Sequence, residues 1–270
     1  MSRVEVKKTY KLFINGAFPR SESGRVFEVK NSKGQFIANP ALASRKDLRD
    51  SVVAARAAFP KWSGSTAYLR GQIIYRIAEM LEGRKGQFEA ELKSIGDKSK
   101  IDDVIDLIVW YGGWSDKLSA LNGVTNPVSG PFYNFTTPEA LGVVGIISKP
   151  DFLNFIDSLM SVIVSGNSSV IVAPGALAVP AMSFAEVLAT SDLPAGVINI
   201  LTGNFEELAP WMASHMDIDG LDTSGAKKTS ELKKSGAENL KRIHEFSQVK
   251  HPTRILAFME AKTVWHTIGI

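Results

Sequence analysis

Apolar residues recur along this chain with three rhythms. Between residues 10 and 40 they come in short runs: Leu12-Phe13-Ile14 before Asn15-Gly16, then Val26 to Val29 before Ser32-Lys33-Gly34. Asn-Gly between apolar runs is a strong hairpin signal, so this region reads as short strands and turns. From residue 44 the spacing becomes helical. Ser44 with Asp47 makes a capping-box-like start, and Leu48, Val52, Ala55 and Phe59 follow on one face, with Pro60 expected to end the helix. Leu69, Ile73, Ile77, Met80 and Leu81 predict a second helix. Ile101, Val104, Ile105, Ile108 and Val109 predict a third, running toward Leu121.

From Leu141 short apolar runs alternate with helical stretches. Strands are expected at Val143 to Ile147, Ser169 to Val172, Gly196 to Leu201, Ile218 to Leu221 and Arg242 to Phe246. Helices are expected at about 154–164, 178–190 and 206–215, with a basic helix after residue 227. This alternation predicts an α/β fold with a doubly wound, Rossmann-like parallel sheet and ligands at the carboxyl ends of its strands. The stretch 122–138 breaks the rhythm. It holds Pro127, Pro131 and Pro138 with Phe132, Tyr133 and Phe135, and reads as two extended segments about Ser129-Gly130. It is expected to project, because prolines suit only edge positions in a sheet. After a polar connector over 247–253, the tail from Ile255 to Ile268 carries Phe258, Val264 and Trp265 and favours a strand. Such a tail must pack on the chain's own hairpin or on another chain.

The chain has 270 residues, 44% apolar and 22% charged, enough to bury a core without staples. It has no cysteine, which removes disulfides, thiolate metal sites and every cysteine nucleophile. The net charge of +3 is too small to argue for nucleic acid. The excess is local, in Lys227, Lys228, Lys233, Lys234, Lys241 and Arg242, and reads first as a solvated helix face. No apolar run approaches the ~20 residues of a membrane helix. The amino-terminal MSRVEVKKTY lacks the apolar stretch of a signal peptide. A cytoplasmic location away from membranes is therefore expected.

Motifs that carry chemistry are scarce. No GxGxxG follows a strand; Gly203 stands alone before Asn204-Phe205. His215, His244, His251 and His266 fall at no metal-binding spacing, and no GxSxG elbow occurs. Asp151 and Asp157 lie six residues apart around a strand-to-helix turn. They offer either paired acid–base carboxylates or, for Asp151, a charge suited to a helix start.

Several motifs together resemble the coenzyme-binding half of the aldehyde dehydrogenase superfamily. Phe13-Ile14-Asn15-Gly16 is similar to its FINGxW, and Asp47 to Trp62 to its first helix. Leu141 to Ile147 resembles its entry to the dinucleotide sheet, Leu193 to Asn199 its LPxGVxN, and Asn239 to Arg242 its NLKR. The resemblance covers residues 10–246. It implies a dinucleotide-binding-type domain over 1–121 and 138–247 and a β oligomerisation arm over 122–137 and 253–270.

The departures carry as much. The family's PWNF is matched by Lys149-Pro150-Asp151-Phe152, which puts a carboxylate where the family stabilises an oxyanion. Its KPSE is matched by Ala173 to Ala176, and the glycines of its GxGxxxG by Gly203, Phe205 and Ala209. Its FTGSxxxG is matched from Thr223 to Ser230. Its LELGG falls near Glu245 or Phe246, without the two glycines. The family's cofactor positions thus fall, degenerate, on Ile147, Ser148, Asp151, Ala173, Gly203, Ser224 and Gly225. Only about seven residues then precede Phe258 to Val264, which resembles the family's last strand, so the catalytic domain looks excised.

The layout resembles the non-catalytic carboxyl-terminal half of two-part aldehyde dehydrogenases. It implies a protein that is not an enzyme, with no cofactor and no metal. Its partner would be a full-length aldehyde dehydrogenase or a second copy, met through Phe132, Tyr133, Phe135, Phe258, Val264 and Trp265. An alternative is a module that still holds NAD(P), with Lys227 and Lys228 near its phosphates. An active aldehyde dehydrogenase is disfavoured, since covalent catalysis needs a positioned nucleophile.

Overall fold

A computed structural model describes residue 4 and residues 6–268. The expected absence of a signal sequence rests partly on residues 1–3 and 5, which lie outside them. Asn15 and Gly16 both take positive φ, 52° and 73°, closing Ile14 on Ala17 through two backbone hydrogen bonds of 3.0 Å. This is the predicted Asn-Gly turn. Strands β1 (Val29–Lys30) and β2 (Phe36–Ala38) pair antiparallel around the Ser32-Lys33-Gly34 turn.

The helical region comprises α1 (Arg45–Ser63), α2 (Ala67–Glu82), α3 (Lys85–Ile95), α4 (Ile101–Gly112) and α5 (Leu118–Asn122). Ser44 and Asp47 form the reciprocal capping box. Pro60 does not end α1. The helix runs three residues further, and its last turn is held by buried Trp62, whose indole Nε1–H donates to Ile163 O at 3.0 Å. The helix expected to reach Leu121 stops at Gly112. There α2 and α4 approach so closely that a Cβ on Gly71 would lie 3.3 Å from Gly112 O, and 2.5 Å from Ser115 Oγ in the turn just beyond α4.

The rest alternates: β3 (Val124–Asn126), β4 (Phe132–Ala140), β5 (Val143–Ile147), α6 (Phe152–Ile163), β6 (Ser168–Pro174), α7 (Ala178–Ala189), β7 (Ile198–Gly203) and α8 (Phe205–Ser214). Then follow β8 (Gly220–Asp222), α9 (Thr229–Ala237), β9 (Arg242–His244), α10 (Pro252–Leu256) and β10 (Met259–Thr267). Five parallel strands form one sheet in the order β7-β6-β5-β8-β9. This is the doubly wound α/β topology expected from the alternation. Its central strand β5, Val-Val-Gly-Ile-Ile, is buried throughout, as a strand covered on both faces must be. One core joins the sheet to α2, α4, α6, α7 and α10; a second joins it to α1, α8 and α9.

The remaining strands form a separate antiparallel sheet in the order β10-β4-β3. The tail therefore packs on the chain's own hairpin, with all nine residues of β10 in register against β4 from Met259↔Ala140 to Thr267↔Phe132. Pro138 sits in the middle strand, yet β3 covers only positions 134–136, so the proline lies where β4 has one neighbouring strand. No helix of the described residues is long and apolar enough to cross a membrane.

Candidate functional site

The strand order reverses between β5 and β8, so the crevice of this sheet lies where their carboxyl ends part. Here the chain closes on itself. Gly225 N–H donates to Ile147 O at 2.7 Å, and a Cβ on Gly225 would lie 1.9 Å from Ser148 O. Ser224 Oγ–H donates to Asp222 Oδ1 at 2.5 Å and accepts from Phe246 N–H at 2.9 Å, drawing the end of β9 onto the same loop. Of the seven cofactor-type positions, Ile147, Ser148, Ser224 and Gly225 are brought together at the end of β5, with Gly225 against the backbone of Ile147 and Ser148.

Helix N-termini aimed at such a crevice are natural anion sites. At α6 this chain supplies the anions itself. Asp151 Oδ1 accepts from Asn154 N–H at 3.0 Å, Asp97 Oδ2 from Phe152 N–H at 2.8 Å, and Ser99 Oγ from Leu153 N–H at 3.1 Å. Asp151 is thus the cap of α6, as its place in the sequence suggested. Asp97 and Ser99, which the sequence did not single out, complete it from the α3–α4 loop. At α8, Asn204 Oδ1 caps Glu206 N–H, and two carboxylates, Glu206 and Glu207, occupy the first turn. Gly203 has φ 148°, and a Cβ there would lie 3.0 Å from Leu42 Cδ1, so its small size serves packing against Leu42. Ala173 is fully buried at the end of β6.

Asp157 does not pair with Asp151. It lies fully buried inside the fold, where Arg254 reaches it from α10. Arg254 Nη1 is 2.8 Å from Asp157 Oδ2, and Nη2 is 2.9 Å from Asp222 Oδ2 and 2.7 Å from Ser158 Oγ. Its guanidinium also stacks on Phe246, 4.6 Å from the ring centroid. Asp157 Oδ1 accepts from the Tyr111 hydroxyl at 2.8 Å and from Lys250 N–H at 2.9 Å. Burial pushes the Asp157 carboxyl up, against the pull of Arg254 and of these two donors. Burial also raises the Tyr111 phenol, with the Asp157 charge adding to the effect. The segment 246–258 thus fills the space between α6 and β8 beside the crevice. The sequence pointed to neither Arg254 nor Tyr111.

Glu245 points to solvent at the end of β9, and Phe246 is half-buried. Lys227, Lys228, Lys233 and Lys234 are exposed, the solvated face expected of the basic run. Lys241 departs from it: buried, its Nζ donates to His215 O and Ile218 O at 2.7 and 2.6 Å. Burial lowers its pKa to about 8. Among the described residues no group of three or more His, Cys, Asp or Glu is placed to hold a metal ion.

Of the six arm residues, Tyr133 and Trp265 are 47% and 59% exposed, Phe132 is exposed beside Trp265 in an edge-to-face contact, and Phe135 and Val264 are half-buried. Phe258 is a correction. Only 1% exposed, it packs against His244 and Phe246 and fills the space over Gly220, so it anchors the arm to the body and offers nothing to another chain.

The profile of the aldehyde dehydrogenase family matches residues 18–266. The chain belongs to that family. Human retinal dehydrogenase 2 is 32% identical over 270 residues, covering 94% of this chain and 51% of the relative. Aldehyde dehydrogenase, cytosolic 1, of Elephantulus edwardii is 29% identical, covering 95% and 54%. Among solved structures, PnpE of Pseudomonas sp. WBC-3 superposes with a TM-score of 0.79 at 25% identity, over 88% of this chain and 50% of that one. The aldehyde dehydrogenase of Bacillus cereus in its NAD+ complex gives 0.80 at 24% identity, over 90% and 53%, a likeness of fold. This aldehyde dehydrogenase-family chain spans about half the length of the curated relatives it matches. Its 270 residues hold the family's sheet and a β arm, and no cysteine.

Proposed function

We propose that this chain acts by assembly and not by turnover. In this reading it is a non-catalytic member of its family that docks its β arm on a full-length aldehyde dehydrogenase or on a second copy. The observation that carries the reading is the close contact of Gly225 with the carboxyl end of β5. Where the family resemblance would put a dinucleotide, Ile147 is hydrogen-bonded to Gly225, and buried Arg254 ties segment 246–258 to Asp157 and Asp222. Carboxylates stand at the N-termini of α6 and α8, where a pyrophosphate would need positive potential. These residues do not fit NAD(P). The arm supports the docking half of the reading, since exposed aromatic residues beside a bare strand edge favour strand addition.

Two measurements test it. Isothermal titration with millimolar NAD+ and NADP+ is expected to give no heat and no thermal stabilisation. A tagged full chain recovered from its native host is expected to bring down an aldehyde dehydrogenase-family protein in near-stoichiometric yield. Saturable NAD(P) binding would instead favour a nucleotide-binding module, for which exposed Lys227 and Lys228 before α9 are the residues to test.

A further inference from the structure

The outer edge of β10 has no partner strand among the described residues, although β10 is nine residues long and pairs with β4 without a bulge. Natural edges are usually blunted by proline, a bulge or charged side chains, lysine above all. This one holds no proline, and both its formal charges are already matched: Glu260 lies 2.7 Å from Arg242, and Lys262 lies 3.2 Å from Glu139. What covers the edge follows from its own sequence, Met-Glu-Ala-Lys-Thr-Val-Trp-His-Thr.

We propose that β10 pairs antiparallel with β10 of a second copy, about a two-fold axis at Thr263. This rests on the reading of the arm as a docking element and names the partner. Side chains facing each other across such an axis must share a face of the sheet, so the pairing can shift only in steps that move the axis by one residue. An axis at Lys262 would set that lysine against itself. An axis at Val264 would set Lys262 against His266. The axis at Thr263 sets Lys262 against Val264 and Glu260 against His266, with Ala261 opposite Trp265 on the other face. Large then meets small twice, no like charges meet, and all nine residues of each strand are used. The result is a continuous six-stranded sheet, β3-β4-β10-β10-β4-β3, with a central ladder ~30 Å long. Trp265, 59% exposed in one copy, would be covered by the second.

The absence of native cysteine makes the test direct. Directly opposed positions in antiparallel strands bring Cβ atoms to about 4.5–5.5 Å, within reach of mild oxidative cross-linking. Thr263→Cys in the full chain is expected to form a covalent dimer by itself. Ala261→Cys and Trp265→Cys are each expected to stay monomeric on a non-reducing gel and to cross-link when mixed. Thr263→Lys, at an exposed position, is expected to weaken self-association at least tenfold by light scattering or sedimentation while leaving the unfolding midpoint close to that of the parent. Self-cross-linking strongest at Lys262→Cys or Val264→Cys would overturn the register. A monomeric full chain whose Thr263→Cys variant does not cross-link would overturn self-pairing altogether. If that monomer still captured an aldehyde dehydrogenase through the arm, only the choice of partner would fall. If it captured nothing, the docking reading would fall with it.

Discussion

Arg254 and Asp222 meet at 2.9 Å inside the fold, both only 1% exposed, and so tie α10 to the end of β8. The same guanidinium holds Asp157 of α6, which makes three elements depend on one buried cation. An ion cluster of this kind contributes little over an apolar substitute, but losing one member leaves charges buried without a counterpart. Arg254→Met is expected to destabilise the chain by about 3–5 kcal/mol in urea unfolding. Adding Asp157→Asn and Asp222→Asn to it should recover part of that loss. No recovery would mean that the arginine acts through its packing on Phe246 and not through its charge.

Gly225 and Gly86 respond to a methyl group in opposite ways. A Cβ at Gly225 meets the Ser148 carbonyl at the end of β5, while nothing lies within 4 Å of one at Gly86. Gly225→Ala should therefore cost about 1–3 kcal/mol through forced backbone movement. Gly86→Ala, inside α3, should stabilise by about 0.4–1 kcal/mol by narrowing the unfolded ensemble. Thermal melts of the pair check both signs.

The cap of α6 is shared between distant residues. Asp151→Ala and Asp97→Ala are each expected to cost about 0.5–2 kcal/mol, since each leaves a first-turn N–H without its acceptor. The two accept from neighbouring amides, so a double-mutant cycle should show coupling. Neither variant is expected to gain NAD(P) binding while Gly225 stays closed on Ile147.

Lys241 gives the chain a pH signature. Its folded pKa is lowered to about 8 from an ordinary 10.5 by burial, so between those values the unfolded chain holds the proton more tightly. Stability then rises with pH across that window, and the penalty of burying the charge is fully present below pH 8. The parent is expected to gain stability relative to Lys241→Met between pH 8 and 10 by chemical denaturation. A constant difference across that range would show that the ammonium is adequately solvated by His215 O and Ile218 O.

The local readings that held depend on residues whose neighbours in sequence are also their neighbours in space. Asn15-Gly16 made its turn, Ser44 and Asp47 their capping box, and Asp151 its helix cap. The readings that failed depend on tertiary partners. Pro60 did not stop α1, because Trp62 binds the last turn to Ile163. Helix α3 went unread, since only Phe88 and Leu92 on it are buried, too few for a clear helical period; the left-handed Gly96 that ends it was the usable signal. Phe258 read as an arm residue because its apolar, β-favouring neighbourhood is the same on either side of the body's edge.

By itself the sequence determined the α/β alternation, the family, and the loss of cysteine and of the phosphate-loop glycines, because these are properties of residue type and spacing. Only the tertiary structure decided that the tail completes the chain's own arm and that Gly225 lies against the end of β5. Arg254, Asp157, Asp222 and Asp97 are ordinary charged residues scattered over 158 positions. Their meaning lies in distances below 3 Å that only a folded backbone creates.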